Sequence, residues 1–507
     1  LGKNGKNHFL EGCFRFFPFC HKSMEKKRTP LLYLALLLVW ALPLGAQTLQ
    51  SALDAFDNHP GMLSGQWGFY AVDVANKRVV GQRNADKSLL PASTLKVLTT
   101  ATGLGGLGGD YRFRTELRIS GAVVAGVLHG NVHIVGYGDP TLGSADMPGA
   151  SSMKDLFTAF ARALQQTGIR SIKGKVVGEN GWNESDSAPA GWQWADLGNF
   201  YAAGASGLNI HENRYKAVFQ PSQKAGGTPR LLRLDPEVPG FSLINELVGG
   251  DDEKDDAYIY AAPFSPQGYV RGKIPSGKSE FTLKGSLPDP ALFAAHHLRK
   301  FLAANGIPVT GAAVTERLDK ELPATRALYT HRSPSLRKIV ERANFESVNL
   351  YCEAILKALC AHQGVKVSYV GGAAAVKKFW EDRGLSFEGV FQDDGSGLSR
   401  SNAVTAKFLG ELLRKIHADP QAFGDFSNTL PVAGQSGTVK IFCQGTPAEG
   451  RVRTKSGSMT RVRGFTGYAT ARSGKTIAFC LIANQFSCTD KEIRTAMEGI
   501  MTALVAQ

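Results

Sequence analysis

Pro91-Ala92-Ser93-Thr94-Leu95-Lys96 is the stretch on which the reading of the whole chain turns. If Ser93 opens the first turn of a helix, Lys96 lies one turn on and on the same face. Its amine can then sit beside the Ser93 hydroxyl. A serine hydroxyl is a weak nucleophile until a neighbouring base takes its proton. Lysine serves as that base only when its surroundings lower its pKa, by desolvation or by a nearby cation. The backbone N–H groups at a helix start offer donors for an oxyanion.

Ser-x-x-Lys occurs four times, at Ser23, Ser93, Ser151 and Ser335, so the spacing alone does not choose. Ser23 precedes Met24, the expected start of translation. Ser151-Ser152-Met153-Lys154 and Ser335-Leu336-Arg337-Lys338 read as ordinary polar helix starts. Only Ser93 is followed by a mostly apolar, uncharged run, Leu95-Lys96-Val97-Leu98-Thr99-Thr100-Ala101-Thr102. That run predicts a helix buried in a core, where a lysine is unfavourable unless it has a task.

The 507 residues, 43% hydrophobic and 20% charged, suit an ordinary globular protein with room for two or three domains. Met24 is followed by a basic flank, Glu25-Lys26-Lys27-Arg28, an apolar stretch from Leu31 to Leu42, and the small-residue site Leu44-Gly45-Ala46. This is the pattern of an export signal cleaved after Ala46. The stretch is short for a membrane span and ends in Pro43 and Gly45, so no stable span is expected after cleavage. The expected location is the periplasm or cell envelope. Residues 1–46 hold seven Lys or Arg against two acids, so their removal lowers the formal charge from +14 to +9. The remaining basic residues are spread along the chain, which disfavours nucleic acid as a partner. Five cysteines follow Ala46: Cys352, Cys360, Cys443, Cys480 and Cys488. Cys352 and Cys360 fall on one predicted helix, about 12 Å apart along its axis, too far to bridge each other. There is no Cys-x-x-Cys and no His-Glu-x-x-His, and His129, His133, His296 and His297 have no metal-ligand spacing. Neither a metal nor a cofactor is expected.

The pattern predicts a helix over 48–56, a strand from Trp67 to Val74 and another from Arg78. The Ser93 helix is expected to end in the glycine cluster Gly103 to Gly109. From about Tyr111 to Pro323 the chain reads as short strands punctuated by glycine and proline. Two helices stand out there, Met153 to Gln166 and Pro290 to Asn305, each closed by a Gly-Ile step suited to a glycine C-cap. The acidic run Asp251 to Asp256 lacks calcium-loop spacing and reads as an exposed loop. Helices return over 335–361, 372–383 and 405–417. Three strands follow, over 453–458, 464–471 and 476–483, then a helix from Asp490 to Val505. Strands at both ends with helices between predict one sheet built from both termini. The expected division is 1–46 as upstream segment and signal, 47–110 plus 324–507 as a catalytic domain, and 111–323 as an inserted accessory region of two subdomains.

Two further stretches suit the same chemistry. Ser347-Val348-Asn349 is the only Ser-x-Asn in the sequence and falls between predicted helices. Acyl transfer to serine needs a proton for the leaving amine and a group that orients the substrate amide. A hydroxyl and a carboxamide two residues apart can supply both, although Ser347 by itself reads equally as a helix N-cap. Lys455-Ser456-Gly457-Ser458 is the only Lys-[Ser/Thr]-Gly and opens a predicted strand. Its lysine and hydroxyl can hold a carboxylate, and its glycine can let a substrate backbone lie against the strand edge. The Ser458 N–H can join that of Ser93 as an oxyanion donor. Taken alone it is a basic strand end. Gln435-Ser436-Gly437-Thr438, which no lysine precedes, is set aside.

With these motifs, and with Gly138-Asp139-Pro140-Thr141-Leu142 and Asp394-Gly395-Ser396-Gly397-Leu398-Ser399, most of the chain after Ala46 resembles the class C low-molecular-mass penicillin-binding proteins. These are D-alanyl-D-alanine carboxypeptidases and endopeptidases. The 254 residues between Ser93 and Ser347 match the large insertion of that class. The resemblance implies an α/β (α+β) penicillin-binding/β-lactamase-like transpeptidase fold, an antiparallel sheet flanked by helices with a large, mostly β insertion. It implies peptidoglycan stem peptides as substrate and β-lactam antibiotics as acylating ligands. Ser93 would be the nucleophile and Lys96 its base. Ser347 would relay the proton, Asn349 would orient Lys96 and the substrate amide, and Lys455 with Ser456 would bind the terminal carboxylate. Ser456 stands where the family usually has threonine, which predicts a shifted preference with function kept. The alternatives are a serine β-lactamase, a non-catalytic β-lactam sensor or envelope-binding protein, and a Ser-His-Asp hydrolase. The last lacks a Gly-x-Ser-x-Gly elbow.

Overall fold

Two runs of apolar residues far apart in sequence meet at the centre of the molecule. Thr476–Asn484 and Gln66–Asp73 are each buried over nearly their whole length and pair antiparallel, with Tyr70 opposite Cys480. The computed structural model describes residues 48–182, 184, 186–316 and 324–507. The expected leader 1–46 and the expected boundary at Pro323 lie outside the described residues. Around the two central strands a five-stranded sheet forms in the order Val452–Met459, Val462–Thr470, Thr476–Asn484, Gln66–Asp73, Val79–Arg83. Every neighbouring pair is antiparallel. The sheet is therefore built from both ends of the chain, as the strand pattern predicts.

Side chains alternate across a strand, so the central strands feed two cores. Phe69, Ala71, Phe479 and Leu481 pack with the helices Leu49–Asp57 and Asp490–Val505 on one side. Tyr70, Val72, Cys480 and Ile482 pack on the other with the helices Lys96–Leu107, Asn349–His362 and Ala406–Ala418.

The Ser93 segment begins as a 3₁₀ turn, Ala92–Leu95, that runs into the helix Lys96–Leu107. The helix ends within the glycine cluster, as expected: it runs to Leu107 and closes at Gly108, whose φ is +86°. The glycines inside it make room for neighbours. A Cβ on Gly103 would lie 2.6 Å from Ile355 Cγ2, and one on Gly105 2.5 Å from Phe423 Cε1. The helical stretch from 335 divides into Leu336–Phe345 and Asn349–His362, with Ser347 between them at φ 58°.

A second five-stranded sheet has the order Ala313–Glu316, Val176–Asn180, Val132–Gly136, Arg114–Ile119, Arg326–Arg332. Its first three strands run parallel. The two expected helices, Met153–Gln166 and Pro290–Ala304, share one termination. Gly168 and Gly306 both have φ +79°, and the next residues donate back to the last turn, Ile169 N to Leu164 O and Ile307 N to Leu302 O. This is a glycine C-cap of the Schellman kind. These elements share a core with three three-stranded sheets of the same region.

Buried polar contacts tie this region to the catalytic sheet and its helices. Lys357, fully buried on Asn349–His362, donates to Glu184 Oε2 at 2.9 Å and to the carbonyls of Asp186 and Ala205. Burial pushes the Glu184 carboxyl up, and Lys357 opposes that rise. Trp192 Nε1 donates to Asp394 Oδ2 at 2.9 Å. Removing one partner of a buried ion pair leaves the other charge unmatched. Lys357→Met is expected to lower stability by about 3–5 kcal/mol, read by urea denaturation. An unchanged midpoint would show that the contact holds nothing together.

Candidate active site

Ala92 has φ 45°, a backbone state that costs a non-glycine residue about 1–3 kcal/mol. The neighbouring contacts fix it. Thr94 donates its hydroxyl to Pro91 O at 2.7 Å. Gly397, itself at φ +83°, leaves space that a Cβ would fill to within 1.9 Å of Ala92 O. The turn lifts Ser93, half-buried, while Lys96 one turn on is fully buried.

The Lys96 amine meets three oxygens: Ser93 Oγ at 2.8 Å, Asn349 Oδ1 at 2.6 Å and the Ser396 carbonyl at 2.8 Å. Two of these can only accept. A neutral amine has two N–H bonds and one lone pair. If the N–H bonds serve Asn349 and Ser396, the lone pair is left facing the Ser93 hydroxyl. Asn349 is held in turn, because its Nδ2 donates to the Tyr201 carbonyl at 2.7 Å. That partner also fixes which end of the carboxamide faces Lys96. Burial lowers the Lys96 pKa, and Cys352, Glu353 and Asp394 oppose the shift.

Lys455 is fully buried beside the same site. Its pKa is pushed well below the usual lysine value, by burial first and by the Lys96 cation second. Its Nζ donates to the Ser456 carbonyl at 2.7 Å, and the Ser456 hydroxyl meets Thr438 Oγ1 at 2.8 Å. Val452–Met459 is an edge strand. The segment around Pro431–Ala433 covers its beginning, with Thr454 N bonded to Pro431 O and Ala433 N to Val452 O. Ser458 is exposed. A Cβ on Gly457 would lie 2.7 Å from Pro91 O and 3.1 Å from Ser93 N, so its bare α-carbon lets the strand close on the Ser93 turn.

Ser93, Lys96 and Asn349 thus form one hydrogen-bonded chain, with Lys455 buried alongside. Ser347 stands at the adjoining cleft with Phe200, Tyr201 and Arg342, outside that chain. It caps neither helix, since the flanking caps are Glu346 and Val348. Sequence reasoning missed several participants. Thr438 came from a motif set aside for want of a lysine. The Ser396 and Tyr201 carbonyls are backbone groups with no residue-type signal.

Glu353 was also missed, although it did leave a signal: a charge inside a buried helix, the criterion that selected Lys96. It lies one turn beyond Asn349, and its Oε2 accepts from Gly395 N at 2.7 Å. It thereby positions the loop that supplies the Ser396 carbonyl. Burial, and then the Asp394 charge, push its carboxyl up to about 8. Asp394 is fully buried and accepts from Gly397 N, Ser399 N and Asn402 Nδ2. The five cysteines after Ala46 are free. Among the described residues no acid, cysteine or histidine cluster could hold a metal ion. His133 is buried and hydrogen-bonded to Ser120 and Glu179.

A lysine base must be neutral to act. The rate of Ser93 acylation should therefore rise with pH through the depressed Lys96 pKa and level off below 10.5, the ordinary lysine value. Lys96→Arg keeps a permanent charge and should lower acylation by about 10²–10⁴-fold, measured with a penicillin reporter across pH. A profile still climbing at pH 10.5 would contradict the depressed pKa.

The model of the D-Ala-D-Ala carboxypeptidase 3 (S13) family matches residues 49–504. A D-alanyl-D-alanine carboxypeptidase from an Actinomadura species is 28% identical over 449 residues, 87% of this chain and 81% of the relative. The D-alanyl-D-alanine carboxypeptidase DacB of Haemophilus influenzae is 24% identical over 432 residues, 84% and 87% of the two chains. The crystal structure of penicillin-binding protein 4 from Haemophilus influenzae superposes with a TM-score of 0.75 at 22% identity, covering 89% of this chain and 98% of that one. It therefore shares the penicillin-binding fold. Among the described residues no helix is long and apolar enough to cross a membrane. A serine–lysine pair on a helix start, beside an edge strand with Lys-Ser-Gly at its middle, is thus found in a chain that belongs to the D-Ala-D-Ala carboxypeptidase 3 (S13) family, a family of peptidase hydrolases.

Proposed function

We propose that the protein cleaves D-alanyl-D-alanine ends and cross-links of peptidoglycan stem peptides through a Ser93 acyl-enzyme, and that β-lactams acylate the same serine. The observation that carries this reading is the buried Lys96 amine, 2.8 Å from Ser93 Oγ and held by two oxygens that can only accept. Lys96 takes the Ser93 proton as Oγ bonds to the carbonyl carbon of the penultimate D-alanine. The N–H groups of Ser93 and Ser458 hold the oxyanion. The C–N bond then breaks, and the leaving amine takes a proton relayed from Lys96 through Ser347. Water adds to the ester and releases Ser93. Lys455 and Ser456 bind the terminal carboxylate, Asn349 orients the substrate amide, and Gly457 seats the strand against the turn. If the amine belongs to a neighbouring stem peptide, the same steps open a cross-link.

The protein acts on this reading as an exported enzyme of the periplasm or cell envelope. Residues 47–110 and 324–507 form the catalytic domain around an accessory insertion, 111–323. The pairing of Arg326–Arg332 with Arg114–Ile119 extends the sheet of the insertion past that boundary.

Fluorescent penicillin, followed by a chase with unlabelled drug, tests the assignment. A lasting label on the wild type that disappears in Ser93→Ala, with release of D-alanine from a stem pentapeptide, is the expected result. A label that clears within seconds would indicate a β-lactamase. A lasting label without peptide turnover would indicate a sensor. Equal labelling of Ser93→Ala would remove Ser93 from the mechanism.

A further inference from the structure

The three-stranded sheet Ser242–Gly250, Gln267–Pro275, Tyr258–Tyr260 has one dry face and one wet face. Leu243, Leu247, Ile259, Val270 and Ile274 enter the core of the insertion. The opposite face carries aromatic rings. Tyr260 and Tyr269 are register partners and stack with centroids 4.9 Å apart at 13°. Trp194 lies 6.3 Å from Tyr260 and is 50% exposed, and Tyr258 is 43% exposed. An exposed tryptophan beside a tyrosine stack is an uncommon surface to leave in water without a use.

This face is continuous with the catalytic cleft. Gly198 packs so closely on the strand Tyr258–Tyr260 that a Cβ would lie 2.1 Å from Ile259 O. Asn199 bonds Ile259 in both directions, Nδ2 to its carbonyl at 3.2 Å and Oδ1 from its N–H at 3.1 Å. The next two residues are Phe200, 42% exposed, and Tyr201, their rings edge to face at 5.7 Å. Both line the cleft beside Ser347 and Asn349, and the Tyr201 carbonyl is the oxygen that holds Asn349. The two groups of rings thus lie on adjoining segments that lead from the cleft at Ser347 and Asn349 to the wet face of the sheet.

We infer that this aromatic path binds the polysaccharide backbone of peptidoglycan while a stem peptide occupies the Ser93 cleft. The inference rests on the proposed stem-peptide reading and extends it to the rest of the polymer. Sugar rings present flat C–H faces that pack on aromatic rings by dispersion, and hydroxyl edges that pair with tyrosine hydroxyls. Arg271 lies over Tyr269 with 4.7 Å to the centroid and is paired with Glu246, while Lys273 on the same face and Lys284 over the Phe200 ring at 5.5 Å leave the path weakly basic. A protein partner would also suit aromatic residues and arginine. Continuity with the cleft, where a substrate of alternating glycan and peptide would already be held, favours the glycan.

The probe is glycan stripped of its stem peptides by an amidase, which leaves a lactyl carboxylate on each muramyl residue; it is immobilised and used in a pull-down with the full-length enzyme at high salt, where attraction to that charge is screened. Wild type should be retained. Trp194→Ala, an exposed truncation, and the double variant Tyr260→Ala/Tyr269→Ala should each bind about tenfold more weakly. Turnover of intact sacculi should fall in step, while a soluble stem pentapeptide and penicillin acylation keep wild-type rates. Loss of retention by wild type, or equal retention by both variants, would overturn the inference. So would an equal fall on the pentapeptide, or capture of a protein with none of the glycan. Absence of penicillin labelling would defeat the catalytic reading instead, and the pull-down would still report on the surface.

Discussion

A buried lysine amine held by three oxygens is the constraint on which the rest of the structure depends. Nothing about a lysine at the end of a 3₁₀ turn makes it a base. In the proposed mechanism it becomes one because it is fully buried and because Asn349 and the Ser396 carbonyl hold it. Each of those partners is itself fixed. The carboxamide is turned by Tyr201, and the 394–397 loop is pinned by Glu353 and Asp394. The glycines at 397 and 457 allow a loop and a strand to close on the Ser93 turn at distances no side chain would permit.

These supports come from three places in the chain. The helix Asn349–His362 contributes Asn349, Glu353 and Lys357, which point to the nucleophile, the loop and the inserted region. The insertion contributes Tyr201 and Trp192. It is therefore part of the catalytic geometry as well as an appendage, because the orientation of Asn349 depends on a carbonyl that the insertion places. The strain at Ala92 and the left-handed backbone at Ser347 sit next to the groups proposed to react. Such positions persist only where the surrounding packing holds them.

Two lysines buried near one another would be destabilising as two cations. Burial and mutual repulsion both favour a neutral amine, and the edge strand leaves Lys455 where an anionic substrate end would restore the balance. A carboxylate would then be bound by a site already short of negative charge, as expected of a pocket that recognises a free C-terminus.

Much of this was legible in the amino-acid sequence. Periodicity marked the five strands of the central sheet and the helices Met153–Gln166, Pro290–Ala304 and Asp490–Val505, because their side-chain patterns are local. The placement of a lysine in an uncharged, apolar run singled out Ser93 and Lys96 from three other Ser-x-x-Lys stretches. Other features were decided only by tertiary structure. The glycine cluster after Lys96 does end the helix, at Gly108, but its earlier members are a packing surface, since whether a missing Cβ ends a helix or admits Ile355 depends on what lies across the gap. Thr438 reached Ser456 from a motif without a lysine, and two backbone carbonyls, at Tyr201 and Ser396, set the orientation of the site. A carbonyl is the same in every residue, so the sequence by itself determined which side chains were available, and only the fold decided where the backbone would aim them.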